Sequence, residues 1–217
     1  MNQQTLSPVN KFAIALPPLL LAILELFHAH GHHDAVFDTL SSQIDRWMVV
    51  HYLQLVLFPL TAWSVYSLTK FDSGWMPKIS AVALGIYGIG YAAYDSIAGI
   101  GTGVLVSNSL EMASLPNSPA GIKLVFSETV QSYYHSPAVS IIARVAIAGA
   151  IVGLVLTAVQ LYQRRCGLFP ILMLGGACWG VTKTHAPPYG PITYGFIFAA
   201  VTATLFFSRG SRPARDD

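Results

Sequence analysis

Long apolar runs separated by short polar segments dominate the chain. A helix needs about 20 predominantly apolar residues to cross the hydrocarbon core of a bilayer. Six runs approach or exceed that length, and the fifth is the shortest. The pattern therefore predicts an all-α integral membrane protein, a six-transmembrane-helix bundle that forms one polytopic domain over residues 1–217. The predicted spans are residues 12–30, 47–68, 79–106, 137–161, 167–182 and 189–207.

The longest connection between predicted spans covers residues 107–136. Ser118 and Pro119 are typical of a helix start, with serine as the cap and proline in the first turn. Apolar residues then recur on an irregular helical face. We expect an amphipathic helix from Pro119 to His135, on the outer side before span four, that lies at the membrane interface or covers a site. Its apolar residues are Ile122, Val125, Phe126, Val130, Tyr133 and Tyr134.

Composition supports lipid as the solvent of this chain. Hydrophobic residues make up 53% and charged residues 10% of the sequence, and the mean hydropathy is +0.55. A soluble domain carries about 25% charged residues. The net charge of +2 is too small and too dispersed to indicate a nucleic-acid partner. Cys166 and Cys178, on one predicted helix, would be roughly 18 Å apart, which excludes a disulfide between them.

The distribution of basic residues predicts the orientation. Lysine and arginine are retained on the cytoplasmic side of membrane proteins. Eight of them fall on one side of the predicted topology and three on the other, with Arg144 inside span four. We expect both termini to be cytoplasmic, the 107–136 connection to face outward, and the first apolar run to be retained. The eight are Lys11, Lys70, Lys78, Arg164, Arg165, Arg209, Arg212 and Arg215; the three are Arg46, Lys123 and Lys183.

All seven histidines fall at the outer side in this topology, and four of them lie in the stretch Glu25 to His33. Glu25, His28 and His32 are spaced to share one helix face if the helix continues that far. Pairing of Glu and His three residues apart recurs in metal sites of helix bundles. His185 lies in a turn whose three prolines fix the backbone: Pro187, Pro188 and Pro191.

These positions predict a transition-metal site that opens to the outside. Imidazole and carboxylate ligands suit zinc, iron or copper. An ionisable residue inside a span is costly and marks a site or a pair, so we expect Glu25 or Asp95 to act as a general base. The leading hypothesis is a metal-dependent enzyme acting on a lipid or another amphiphile. The predicted metal ligands are His28, His51, His135 and His185.

Asp95 and Arg144 lie at matching depths in spans three and four. Counting residues from the outer ends places them within roughly 1.5 Å of the same level. A buried ion pair would offset two expensive charges. The alternative is that Asp95 is a metal ligand or proton carrier whose charge state is set by Arg144.

Three other functions remain open from the sequence. A b-type cytochrome would hold haem b between two axial histidines, such as His135 with His51 or His28. A small transporter would use Glu25, Asp95 and Arg144 as an intramembrane path. A structural subunit of a membrane complex would dock through the glycine-rich third span, because small residues let helices approach closely in lipid.

Overall fold

A computed structural model describes residues 6–29, 36–117, 119, 121–183 and 185–207. These residues form an all-helical structure, and no strand occurs among them. The helices are α1 Pro8–Glu25, α2 Val36–Ser41, α3 Ile44–Tyr66, α4 Met76–Tyr94, α5 Thr102–Ala113, α6 Ile122–Tyr134, α7 Pro137–Gln163, α8 Leu168–Gly180 and α9 Tyr189–Thr202. Two π-helical segments, Asp95–Gly101 and Ala203–Phe207, link α4 to α5 and extend α9.

Five of the helical segments are long and apolar enough to cross a membrane. They are Pro8–Glu25, Ile44–Tyr66, Met76–Ala113, Ile122–Gln163 and Tyr189–Phe207. The predicted fifth span corresponds to α8, which has only 13 residues. At 1.5 Å per residue, α8 is roughly 20 Å long, shorter than a hydrocarbon core of about 30 Å. The predicted count of six spans therefore stays a prediction.

The helix starts follow local sequence signals. The Ser7 hydroxyl accepts a hydrogen bond from the amide of Asn10, with Pro8 as the first helical residue. Ser136 caps α7 in the same way, with Pro137 at the first position. Proline is well tolerated there because its missing N–H would have no partner inside the helix.

Small residues bring α7 close to α4. A Cβ added at Gly149 would lie 2.7 Å from the carbonyl oxygen of Ala83, and one at Gly90 would lie 2.8 Å from the Cβ of Ala146. Dispersion holds helices together in lipid, so close backbone approach stabilises such a pair. The close approach predicted for the glycine-rich third span is therefore made within this chain.

A second apolar cluster lies at the end of the bundle that carries the histidines. It joins α2, α5 and α6 to the start of α3. Val130 is the one buried residue of α6 and packs into it, whereas Leu124 and Val125 on α6 are exposed. We call this cluster the cap core; its buried members are Ala29, Val36, Phe37, Leu40, Trp47, Val106 and Val130.

An ion pair closes the opposite end of the bundle. The guanidinium of Arg164, just after α7, pairs with the carboxylate of Asp72 and donates a second hydrogen bond to the carbonyl of Leu68 at 2.8 Å. Both side chains of the pair are about one quarter exposed. The loop after α3 is thereby tied to the end of α7.

Candidate metal centre

Three histidines that are distant in sequence meet at one point. His28 follows α1, His51 lies on α3, and His185 lies in the turn between α8 and α9. One ring nitrogen from each lies within 4.8 Å of the other two. The Nε2 atoms of His28 and His185 are 3.1 Å apart. We call His28, His51 and His185 the histidine triad.

Backbone hydrogen bonds fix the orientation of two triad rings. Nδ1 of His28 lies 2.9 Å from the carbonyl of Ala29, and Nδ1 of His51 lies 2.8 Å from the carbonyl of Trp47. A carbonyl only accepts, so Nδ1 donates in both cases and Nε2 is the acceptor; Nε2 of His28 accepts a hydrogen bond from Nε2 of His185 at 3.1 Å. Metal-binding histidines are oriented in this way, with the second nitrogen donating to a backbone carbonyl or carboxylate.

His185 enters the bundle from the turn that follows α8. Its ring lies edge-on to His28 at 4.7 Å between centroids, and Tyr94 and Phe58 lie at 5.9 and 6.4 Å. Burial lowers the pKa of His185 well below its ordinary value, and the neighbouring His28 and His51 lower it further. His185 is therefore neutral at neutral pH, as a metal ligand must be.

The spacing of the nitrogens suits a small transition-metal ion. With metal–nitrogen bonds of about 2.0–2.1 Å, two ligands of a tetrahedral ion are about 3.3 Å apart. The Nε2 atoms of His28 and His185 already lie 3.1 Å apart. The ligand nitrogen of His51 lies within 4.8 Å of the other two, so the three residues could bind one face of an ion and leave at least one coordination position open.

Glu25 and Gln54 form a buried hydrogen-bonded pair below the level of the triad. Gln54 Nε2 donates to Glu25 Oε1 at 2.8 Å, and both residues are fully buried. Glu25 precedes His28 by three residues and Gln54 follows His51 by three on the antiparallel helix, so this pair lies about one turn deeper. Glu25 Oε2 has no hydrogen-bond partner among the described residues. Glu25 thus has one anchored oxygen and one oxygen without a hydrogen-bond partner among the described residues, about one helical turn deeper than the triad.

The π-helical segment and Trp47 brace His51. A Cβ added at Gly99 would lie 1.9 Å from Cδ2 of His51, so the backbone of this segment packs directly on the imidazole. The Trp47 ring stacks on His51 at 4.1 Å between centroids, and its Nε1 donates to the carbonyl of Gly99 at 2.7 Å. The sequence pattern did not identify Trp47 or Gly99 as site residues. Trp47 could have been found, because it lies one helical turn before His51.

His135, the fourth predicted ligand, lies outside the triad. It is exposed at the end of α6 and stacks edge-on with Tyr134 at 5.1 Å. Val130 holds α6 to the cap core, and His135 lies about 140° around the helix from it. The packing of Val130 therefore turns His135 away from the bundle.

The structure does not bring Asp95 and Arg144 together. Asp95 is fully buried, and neither of its carboxylate oxygens has a hydrogen-bond partner among the described residues. Arg144 is exposed on the bundle surface. Ala146 faces α4, and two residues correspond to about 200° of helix rotation, so Arg144 points away from α4. Asp95 and Arg144 therefore do not form the predicted buried ion pair.

The predicted face of Glu25, His28 and His32 can be followed only in part. α1 ends at Glu25, and a tighter turn carries the chain to His28, with the amide of His28 bonded to the carbonyl of Glu25 at 3.3 Å. His30, His32 and His33 lie outside the described residues.

Comparisons with known proteins identify no similar protein. No family model matches the chain, and no curated protein or solved structure is detectably similar to it. The chemistry of the site itself is therefore the basis for a proposed function.

Proposed function

We propose that this protein is a membrane-embedded, metal-dependent enzyme whose triad binds one transition-metal ion near the outer face. The convergence of three ring nitrogens within 4.8 Å is the observation that carries the proposal. Two of the rings are held by backbone hydrogen bonds with Nε2 left as acceptor. Zinc, iron and copper all accept neutral imidazole, and zinc fits a three-histidine site with an open position.

Glu25 is the proposed proton acceptor. Gln54 holds one of its oxygens, so the carboxylate has a defined direction and a second oxygen available for a proton. A metal ion at the triad would polarise a water molecule or a substrate carbonyl or phosphoryl oxygen. General-base assistance contributes about 10²–10⁴ in rate. Asp95, the second buried carboxyl, is the reserve candidate for this role.

The surroundings of the triad favour an amphiphilic substrate. Phe58, Tyr91 and Tyr94 pack around His185 with ring centroids 5.9–6.4 Å away. Aromatic walls with a few polar groups are typical of small-molecule sites. The molecules that surround a membrane-embedded bundle on its sides are lipids. We therefore infer a lipid or another amphiphile as substrate.

A haem is less compatible with this geometry. Ring centroids within the triad are separated by 4.7, 5.0 and 6.5 Å, and the rings pack on one another directly. A flat macrocycle between two of them would have to force the helices apart. His135, needed for both haem pairings, lies outside the triad.

We infer six crossings, with α8 as the short fifth one. α8 lies between Gly167 and the turn that carries His185, which must reach the level of His28 and His51. Its 13 residues are enough to cross the hydrocarbon core if the turn that carries His185 lies within the bilayer. Irregular backbone is tolerated at that depth where it lines a buried site. The charge distribution then places the triad outside and the Arg164–Asp72 pair inside.

Cysteine labelling tests the orientation and the number of crossings. In a variant whose native cysteines are replaced by serine, Asn117→Cys and Lys183→Cys should react with a membrane-impermeant maleimide on intact cells. Ser73→Cys should react only after permeabilisation. All three positions are exposed. Labelling of Lys183→Cys only after permeabilisation would mean that α8 does not cross and that the count is five.

Metal content and turnover test the proposed function. The protein purified in mild detergent should hold about one zinc, iron or copper ion per chain, without the Soret band of a haem. A lipid extract containing ester, amide and phosphodiester lipids should yield one class of product by mass spectrometry, and a chelator should abolish that turnover. Glu25→Gln should retain the metal and lose about 10²–10⁴ in rate. Bound metal without turnover would instead favour a transporter or a structural subunit.

A further inference from the structure

A surface groove whose described lining includes Arg165 lies at the end of the bundle opposite the triad. Its larger part, about 520 Å³, lies between the start of α8 and the end of α9. A smaller part, about 440 Å³, adjoins it beside Arg165. The two parts share Gly167 and Leu168, so they adjoin each other at the start of α8. Cavities of about 300–1,000 Å³ are typical of ligand sites.

The two parts differ in chemistry. The larger part is walled mainly by apolar side chains, among them Leu168, Phe169 and Phe198. The smaller part is lined by Arg165, Gln163 and the ring of Tyr162. Arg164 beside it is already paired with Asp72, so Arg165 is the cation among the described residues that line the groove. An apolar slot ending in a cation matches an acyl chain joined to an anionic head group.

The backbone at Arg165 supplies an independent observation. Arg165 has φ of +56°, the one positive φ of a non-glycine residue in the described part of the chain. Its amide donates to the carbonyl of Tyr162, and the amide of Cys166 donates to the carbonyl of Leu161. This is the helix-ending motif whose left-handed position is usually glycine. An arginine there is conformationally costly, and such outliers cluster where a side chain has a function.

We propose that this groove binds an anionic phospholipid of the inner leaflet, with an acyl chain in the larger part and the phosphate at Arg165. The occupant follows from the charge of Arg165, the apolar wall and the orientation inferred above. Basic pockets between helices on the cytoplasmic side recognise anionic head groups. The site lies far from the triad along the bundle and does not depend on the metal.

Native mass spectrometry of the full-length protein tests this site. With equal phosphatidylglycerol and phosphatidylcholine in the micelle, the wild type should retain phosphatidylglycerol in about fivefold excess, since one cation near a membrane surface contributes about that factor. Arg165→Gln should abolish the excess, and Arg165→Lys should keep most of it. Lys78→Gln, which removes an exposed charge on the same proposed side, should leave it unchanged.

Two further variants separate lipid binding from folding. Arg165→Gly should raise the Tm by roughly 2–4 °C, because glycine suits the left-handed position, and should still lose the phosphatidylglycerol excess. Ala199→Phe should fill the larger part and reduce retention while leaving the charge in place. Equal retention of both lipids by the wild type, or an excess that survives Arg165→Gln, would overturn the proposal. The metal content of these variants should equal that of the wild type, so failure here is distinct from failure at the triad.

Discussion

His51→Ala should reduce the metal content of the purified protein from about one ion per chain to less than one tenth of that value, whereas His135→Ala should leave it unchanged. His51 supplies one of the three converging nitrogens, and His135 does not join them. Loss of an outer-sphere partner alone weakens metal binding by about 10–100-fold. Loss of a ligand should therefore weaken it by at least about 100-fold.

The paired variants make this result specific. Both substitutions remove one imidazole, and both histidines belonged to the set predicted from the sequence, so a general effect of histidine removal would affect them equally. Equilibrium dialysis against a fixed zinc concentration, followed by elemental mass spectrometry, gives the comparison. Equal metal content in the two variants would exclude the triad as the site. A circular dichroism spectrum of each variant confirms that the helices are intact.

Gly190→Ala should lower the Tm by roughly 6–12 °C, which corresponds to about 3 kcal/mol of lost stability in a chain of this size. An added Cβ would lie 1.5 Å from the carbonyl oxygen of His185 and 3.2 Å from Cγ of Glu25. Because the first of these atoms is backbone, the whole turn has to move. The same displacement carries the His185 ring away from His28, so metal affinity should fall as well.

Gly195→Ala is the matched control on the same helix. A Cβ at Gly195 meets nothing within 4 Å. Alanine is a better helix former than glycine, so the Tm should stay the same or rise slightly. Thermal unfolding in detergent, followed by tryptophan fluorescence with and without added zinc, measures both effects. A Gly190→Ala protein as stable as Gly195→Ala would show that the turn does not pack on α9 as described.

The sequence predicted the helices well and the site in part. Apolar runs predicted every long helix. In lipid the backbone must satisfy its own hydrogen bonds, so the length and polarity of a run are enough to predict a helix. Three of the four predicted histidine ligands converge. Counting residues at 1.5 Å gives the height of a side chain in the bundle, and His28, His51 and His185 share that height.

The direction of each side chain was not predictable in the same way. His135 and Arg144 are exposed and point away from the buried site residues, because packing of Val130 and Ala146 sets the rotation of their helices. The π-helical segment after Asp95 was also unforeseen. Each such turn accommodates one extra residue and changes the rotation of all that follows. Rotation depends on side-chain packing between helices, which single-sequence periodicity does not contain.

The triad joins the beginning of the chain to its end. His28 and His185 are separated by 157 residues, so the site does not exist until the last two helices have entered the membrane. A truncated or partly inserted chain would carry at most two of the three ligands. A bound metal ion would then add a covalent cross-link to the packing of α1 on α9, which already joins the same two parts of the chain. Metal loading would thus report that the last two helices have reached their places in the bundle.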